Sequence, residues 1–525
     1  MSRLSTILVA MVLWAVVGAG QSEDRFELAE LGIADLQQRM ESGQYTARRL
    51  AELYLGRIEA IDRSGPSLRS VIEINPDALE IADALDRERQ SKGPRGPLHG
   101  IPVLVKDNID TGDRMMTTAG SLALDGHRAP RDAFVVERLR AAGAVLLGKT
   151  NLSEWANFRS TKSTSGWSAR GGQVRNPYVL DRNPCGSSSG TGVAIAANLA
   201  AAGIGTETDG SILCPSAATG IVGLKPTVGR ISRAGIIPIA HSQDTAGPMT
   251  RTVADAAVLL EAISGIDARD PATRASAKRP ARFAGALDEQ ALKGARIGVA
   301  RKHYFGYSPA ADRVLETALH DLRRLGATVV DPADIPTAGQ LDACELDVLL
   351  YEFKADLDAY LAGLPASVPV RSLSDLIAFN ERERAREMPH FGQELFLLAG
   401  KKGPLTSAAY RKALATCRSL ARAQGIDAVM TKYRLDAIVA PTGSPAWPID
   451  HVNGDHFTGA SSSAAAVAGY PNITVPAGQV SGLPVGMSFF GRAWSEAKLI
   501  GLAHAYERAT KHRRPPTFLP TLPTP

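Results

Sequence analysis

Two glycine-framed serine sites and a lysine at the end of an apolar run are the residues of this 525-residue chain whose types and spacing suit nucleophilic chemistry. The stretch Asn183 to Thr227 reads NPCGSSSGTGVAIAANLAAAGIGTETDGSILCPSAATGIVGLKPT. It holds the sites Gly186-Ser187-Ser188-Ser189-Gly190 and Asp209-Gly210-Ser211. Between them, Val193 to Ala202 has the length and small apolar composition of a buried helix. Such a helix carries the hydroxyls of Ser187 and Ser211 to opposite ends of one compact unit. Gly210 ahead of Ser211 permits positive φ and lets backbone N–H groups crowd a reacting carbonyl, as a nucleophile beside a backbone oxyanion hole requires.

Other readings of the stretch fit less well. A Gly/Ser run is commonly a linker, but no linker leads at once into a long apolar segment and a second Gly-Ser site. A phosphate loop lacks its closing Gly-Lys-Ser/Thr, and Gly190-x-Gly192 meets Ile195 where a dinucleotide fingerprint needs Gly or Ala. Gly186-x-Ser188-x-Gly190 matches a nucleophile elbow, which follows a buried strand. Here Asp181-Arg182-Asn183-Pro184 precedes it, and a central strand does not tolerate that. The base is sought upstream, in Gly100-Ile101-Pro102-Val103-Leu104-Val105-Lys106-Asp107. Val103 to Val105 reads as a strand buried on both faces, with Lys106 at its end. Alone, such a lysine is a solvated strand terminus. Beside two serine sites it becomes a candidate base.

These motifs together resemble the amidase signature family, serine hydrolases with a Ser-Ser-Lys triad. The pattern Gly100-x-Pro102-x-x-x-Lys106-Asp107 fits residue by residue. The run Thr206 to Ile212, with Cys214-Pro215 behind it and Ser165-Gly166-Trp167-Ser168 ahead, is most similar to the family's bacterial peptide amidases. The similarity extends, with gaps, from about Leu28 to Gly491. The resemblance implies Ser211 as nucleophile, Lys106 as base and Ser187 as the proton relay between them, reached through a cis peptide from Gly186. It also implies an oxyanion hole from the backbone N–H groups of Thr208, Asp209, Gly210 and Ser211. Ser188, Asp209 and Trp167 are expected to support the site or line the substrate pocket. No metal or organic cofactor is required by this chemistry.

The elements that must position these groups read as an α/β fold, a large mixed central sheet covered by helices on both faces. Ile33 to Glu41 and Ala47 to Ile61 read as helices, the second capped by Thr46. Asp132 to Ala142 reads as a helix leading into a strand, Ala144 to Leu147. Further strands are expected at Arg296 to Ala300, Ala327 to Val330 and Ala437 to Ala440, with a helix at Ala310 to Leu325. Tyr470 to Gly486 resembles the family's closing hairpin-like segment. Asp267 to Arg282 reads as an exposed excursion. Leu341 to Tyr433 reads as mainly helical, a more variable region expected to form the rim of the pocket.

Composition bounds the rest. Charged residues are 22%, hydrophobic ones 44% and net charge is +5, an ordinary globular balance. Without a basic stripe interleaved with aromatics, nucleic acid is not an expected partner. Arg3, the apolar run Ile7 to Val17 and the small residues Gly18-Ala19-Gly20 have the order of a secretory signal. The expected organisation is therefore a signal peptide over 1–20, one amidase domain over 21–512 with its core signature at 98–255, and a Pro-rich tail over 513–525. Export to the periplasm or beyond the cell follows, with no stable membrane association after processing. Cys185, Cys214, Cys344 and Cys417 read as small buried packing residues, with a Cys185–Cys214 disulfide left open, because an exported protein could oxidise its cysteines in pairs and these two flank the two serine sites. The expected substrate is a small-molecule or peptide amide, with deamidation of peptide C-terminal amides and release of ammonia as the finer reading. A broad aliphatic or aryl amidase, and the amidase subunit of a tRNA-dependent amidotransferase, stand as alternatives.

Overall fold

The sheet on which the site is built has eleven strands, and its register puts the lysine beside the serine-bearing segment. The computed structural model describes residues 26–523; the apolar leader read over 1–20 lies outside them. The strands are β1 (Val71–Ile74), β2 (Pro102–Lys106), β3 (Val145–Thr150), β4 (Trp167–Ser168), β5 (Gly172–Gln173), β6 (Ala202–Glu207), β7 (Val222–Lys225), β8 (Thr245–Thr250), β9 (Arg296–Val299), β10 (Thr328–Val330), β11 (Ala437–Pro441), β12 (Asn472–Val480) and β13 (Leu483–Phe490). β4 and β5 form a separate ribbon. The others run in the order β1-β3-β2-β6-β8-β7-β12-β13-β11-β9-β10.

Parallel pairs, β2 with β3 and with β6, sit among antiparallel ones, so the sheet is mixed. Helices cover both faces, as the alternation along β11 shows. Ala437 and Val439 join one apolar core, Ile438 and Ala440 another, because successive side chains of a strand point to opposite faces. Pairing of Val105 with Ile204 brings Lys106 level with the end of β6 that carries Thr206 and Glu207.

The small-residue segment is a helix followed by a strand. The helix spans Ser189–Ala196, all eight residues buried, and β6 begins at Ala202. The single helix expected over Val193 to Ala202 is thus shifted, since Asn198 turns the chain with φ 59°. Small residues here are a packing requirement. A Cβ on Gly190 would lie 2.3 Å from Ser70 O and 2.4 Å from Asn151 O, and one on Gly203 would lie 2.6 Å from Thr191 Cγ2. That same smallness hides β6 from any reading by β-propensity.

Asp267 to Arg282 is anchored, not exposed throughout. Asp270 pairs with Arg233, Asp267 accepts from Ser232 Oγ at 2.7 Å, and Thr273 is buried. Residues 513 onward also pack on the body: Arg513 pairs with Glu30, and Leu519 bridges Val179. The four cysteines are not separate packing residues but form two disulfides, Cys185–Cys214 and Cys344–Cys417. The first ties the segment leading into Ser187 to the helix Leu213–Ala218 that follows Ser211. The region 341–433 folds into helices, among them Asp342–Ala362, Leu373–Arg382, Glu394–Gly400 and Ala408–Ala421. Leu350, Phe353 and Phe396 from these helices share a core with Phe158 and Ile239.

Gly190→Ala is expected to destabilise the fold by about 3 kcal/mol or more, because the added methyl meets backbone that has no rotamer to change. A thermal-unfolding midpoint equal to that of the wild type would refute this account of the packing.

Candidate active site

Lys106 is fully buried at the end of β2 and has no carboxylate within ion-pair distance among the described residues. Burial draws its pKa down to about 7, against the opposing charges of Glu207 and Asp244. Its Nζ lies 2.7 Å from Ser187 Oγ, 2.9 Å from Thr206 Oγ1 and 3.4 Å from Thr206 O. Asn108 Nδ2 donates to the same Thr206 Oγ1 at 3.0 Å. A neutral amine has two N–H donors and one lone pair. With its donors spent on the two Thr206 oxygens, the lone pair remains for the Ser187 hydroxyl proton.

Ser187 follows Gly186 through a cis peptide, and its carbonyl accepts from Ser153 N at 3.0 Å. Ser188, at the N-terminus of the buried helix, staples it to β6: its Oγ donates to Thr206 O at 3.0 Å and accepts from Thr206 N at 3.2 Å. Ser188 N donates to Ser211 O at 3.1 Å. The two serine sites are thus joined directly. Ser211 is 8% exposed, and among the described residues its hydroxyl has no hydrogen-bond partner. The structure brings Lys106, Ser187 and Ser211 to one place, with the Lys106–Ser187 contact made and the Ser211 hydroxyl free.

The loop between β6 and the helix Leu213–Ala218 is held from behind. Glu207 Oε2 accepts from Ile212 N at 2.7 Å and Leu213 N at 3.0 Å, satisfying N–H groups of the helix start. Gly210 has φ +76°, a region that favours glycine. Among the described residues the N–H groups of Thr208, Asp209, Gly210 and Ser211 have no acceptor within the protein. Buried backbone donors are nearly always paired, so four consecutive free ones beside a hydroxyl form a cradle for an oxyanion. Asp209 Oδ2 accepts from Ser463 Oγ at 2.6 Å. Burial pushes the Asp209 carboxyl up, and it pushes Glu345 up well above the usual range with the Asp209 charge adding to the effect.

A cavity of about 510 Å³ opens onto Gly186 and Thr208 to Ser211, with the disulfide-bonded Cys185 and Cys214 in its lining. Ser160 to Ser163 form one wall, Asn453 to Phe457 another, and Phe158, Ile239 and Leu349 supply apolar surface. Trp167 stands behind the wall, its ring packed on His390 and Phe391 with the Arg159 guanidinium 5.5 Å away. Thr206, Asn108, Glu207 and Asp244 were not singled out by the sequence as site residues. Thr206 and Glu207 lie within five positions of Ser211 and carried that much signal. Asn108 directly follows the Gly100–Asp107 pattern, and Asp244 lies in the stretch Ser242 to Met249 that also resembles the family, but neither is assigned a role by the sequence.

A family model described as Amidase matches residues 49–500. A probable amidase of Arabidopsis thaliana is 44% identical over 525 residues, covering 98% of this chain and 97% of that protein. The crystal structure of native peptide amidase from Stenotrophomonas maltophilia superimposes with a TM-score of 0.90 at 55% identity, over 94% of this chain and 99% of that one. A subunit of the glutamyl-tRNA(Gln) amidotransferase of Pseudomonas aeruginosa is 36% identical over 507 residues, 93% of this chain and 99% of that protein.

If the Lys106 amine must be neutral to work, kcat/KM for an amide rises with pH through about 7 and levels above it. Lys106→Met is expected to abolish that dependence together with at least about 100-fold of the rate. A wild-type profile flat from pH 5 to 8 would contradict the assignment.

Proposed function

Because the chain belongs to the amidase family and is an amidohydrolase acting on amides, we propose that it removes ammonia from C-terminal carboxamides of peptides through an acyl-enzyme on Ser211. In this reading Ser211 Oγ attacks the carboxamide carbon while its proton passes to Ser187 Oγ, whose own proton passes to Lys106 Nζ. The negative charge that develops on the carbonyl oxygen is met by the N–H groups of Asp209, Gly210 and Ser211. Thr208 N–H stands at the edge of the same loop. Such donors act strongly because they are already oriented and shielded from water. As the C–N bond breaks, the proton returns through Ser187 to the leaving nitrogen, and NH₃ departs. Water then attacks the ester with the same two residues accepting and returning a proton, which regenerates Ser211.

The observation that carries the peptide reading is the likeness at 55% identity to a peptide amidase over nearly the whole of both chains. The lining of the cavity agrees with it. The Cys185–Cys214 bridge lines the cavity together with Ser211, and in this reading it bounds the leaving-group side, where a closed pocket admits NH₂ but clashes with a continuing chain. The apolar surface of Phe158, Ile239 and Leu349 suits the acyl side. Export supplies the context. The leader pattern over 1–20 calls for it, and pairing of all four cysteines suits an oxidising compartment.

Ammonia release from blocked dipeptide amides should exceed that from benzamide-like or short aliphatic amides in kcat/KM, with no internal cleavage by mass spectrometry. The reverse order of efficiency would overturn the peptide assignment. Ser187→Ala and Ser211→Ala are each expected to lower turnover at least about 100-fold; near-normal activity in correctly folded Ser211→Ala protein would sink the mechanism. Mature protein should begin near Gly20 or Gln21, and a secreted form whose mass retains residues before Ile7 would refute processing.

A further inference from the structure

Behind the site, a second cavity of about 470 Å³ shares Ala156, Thr208 and Ile239 with the first. The wall between the two is held by one carboxylate. Asp244 Oδ1 accepts from Thr208 Oγ1 at 2.6 Å, while its Oδ2 accepts from the N–H groups of Ile239 and Ala240, each at 2.9 Å. Thr208 opens the loop that carries the free N–H groups; Ile239 faces the first cavity. We propose that Asp244 is a positioning residue for amide hydrolysis, locking the Thr208 end of the oxyanion loop to the Ile239–Ala240 wall of the substrate cavity. This rests on the reading of Lys106, Ser187 and Ser211 given above.

The neighbouring residues hold the same segment from the other side. Gln243 Nε2 donates to Thr208 O at 3.3 Å and to Glu345 Oε1 at 2.8 Å. Ser242 N donates to Glu352 Oε2 at 2.9 Å, and His241 donates from its backbone N to Asp356 Oδ2 at 3.0 Å, with its Nδ1 2.8 Å from the same oxygen. All three acids lie on the helix Asp342–Ala362. The segment 239–244 is therefore a clip between that helix and the oxyanion loop, and Asp244 is the residue that closes it on the catalytic side.

Asp244 has a second effect that a purely structural residue lacks. It and Glu207 are the two carboxylates whose charge raises the Lys106 pKa against burial. Burial lifts the Asp244 carboxyl itself to about 6, with the Arg233 charge opposing. The other ionisable groups around its cavity are Arg233 and His241 from its own segment, Arg269 and Asp270 from the following loop, and Asp356 and Tyr360 from the helix Asp342–Ala362. Of these, Arg233 is engaged with Asp270 and His241 with Asp356. Above pH 6 the ionised Asp244 keeps Lys106 more basic than it would otherwise be.

The test uses mature full-chain protein, with active sites titrated by a serine-reactive fluorophosphonate so that rates refer to competent enzyme. Asp244→Asn is expected to lower kcat by about 10- to 100-fold, as misplacement of a reacting group does, with KM changed less than about threefold. Its acid limb should move to lower pH, since Lys106 has lost a carboxylate neighbour. Thr208→Val should lose as much, Thr208→Ser should recover at least about tenfold over Thr208→Val, and the Asp244→Asn/Thr208→Val double variant should be no worse than either single one. Wild-type kcat per titrated site in Asp244→Asn, an unmoved acid limb, or losses that multiply in the double variant would each overturn the inference. Should Asp244→Asn fail to fold, the Thr208→Val and Thr208→Ser pair decides alone. A wild type that releases ammonia from no amide brings down the functional reading as well, whereas an active wild type with an indifferent Asp244→Asn brings down only this inference.

Discussion

Taking an ammonium out of water with no carboxylate beside it costs several kcal/mol, and the Lys106 amine escapes that cost by giving up its proton. The site follows from this. Burial on β2 makes the neutral form accessible near pH 7, and the partners within reach are hydroxyls and a carbonyl, which neither demand nor supply charge. Glu207 and Asp244 stand farther off and restrain the shift, so the amine remains basic enough to take a proton from a serine. A nearer carboxylate would hold Lys106 charged; none at all would leave it too weak a base.

The second requirement is closeness of backbone. Three chain segments must meet within hydrogen-bond distance at Ser188, Thr206 and Ser211, and they do so because glycine, serine, alanine and threonine replace larger side chains along 186–211. Gly190 lets the buried helix touch Asn151 and Ser70, and Gly203 lets β6 lie against Thr191. Ser188 stitches helix to strand, and Glu207 stitches strand to the helix after Ser211. The Cys185–Cys214 bridge closes the same ring covalently. Ser188 and Glu207 spend their polar atoms on backbone of the same ring, while the N–H groups of Thr208 to Ser211 stay unpaired among the described residues.

How much of this was legible in the sequence depended on whether one segment carried the signal. Pro102–Lys106 announced itself through three consecutive branched or apolar residues, and Ile33–Glu41 and Pro309–Arg324 through helical periodicity. The serine sites stood out by their glycine frames. β6 did not, since in Ala-Gly-Ile-Gly-Thr-Glu only Ile204 and Thr206 are branched and they are separated by glycines, Gly203 being required by Thr191 and Gly205 by Met249 and Ser188. The disulfides were legible only in part: Cys185 and Cys214 flank the two serine sites, but their pairing depends on the helix Leu213–Ala218 folding back on the chain before Ser187, and nothing in the sequence linked Cys344 to Cys417. The anchoring of Asp267 and Asp270 was likewise a property of Ser232 and Arg233, 35 and 37 positions away, and composition alone marked that stretch as exposed.

The helices of 341–433 show where the two kinds of information meet. Their sequence marks them as helical and little else, yet their positions matter to the chemistry in two ways. Phe353 and Phe396 back Phe158, and with it one apolar wall of the cavity, so a change in this region alters the shape offered to the acyl group. The carboxylates Glu345, Glu352 and Asp356, spaced 7 and 4 positions apart along one helix face, grip Gln243, Ser242 and His241, the residues that precede Asp244. Substrate selection and the aim of the oxyanion loop therefore hang on the same helix. The inner side of this helix is thus held to the segment 241–243 by three hydrogen-bonded acids.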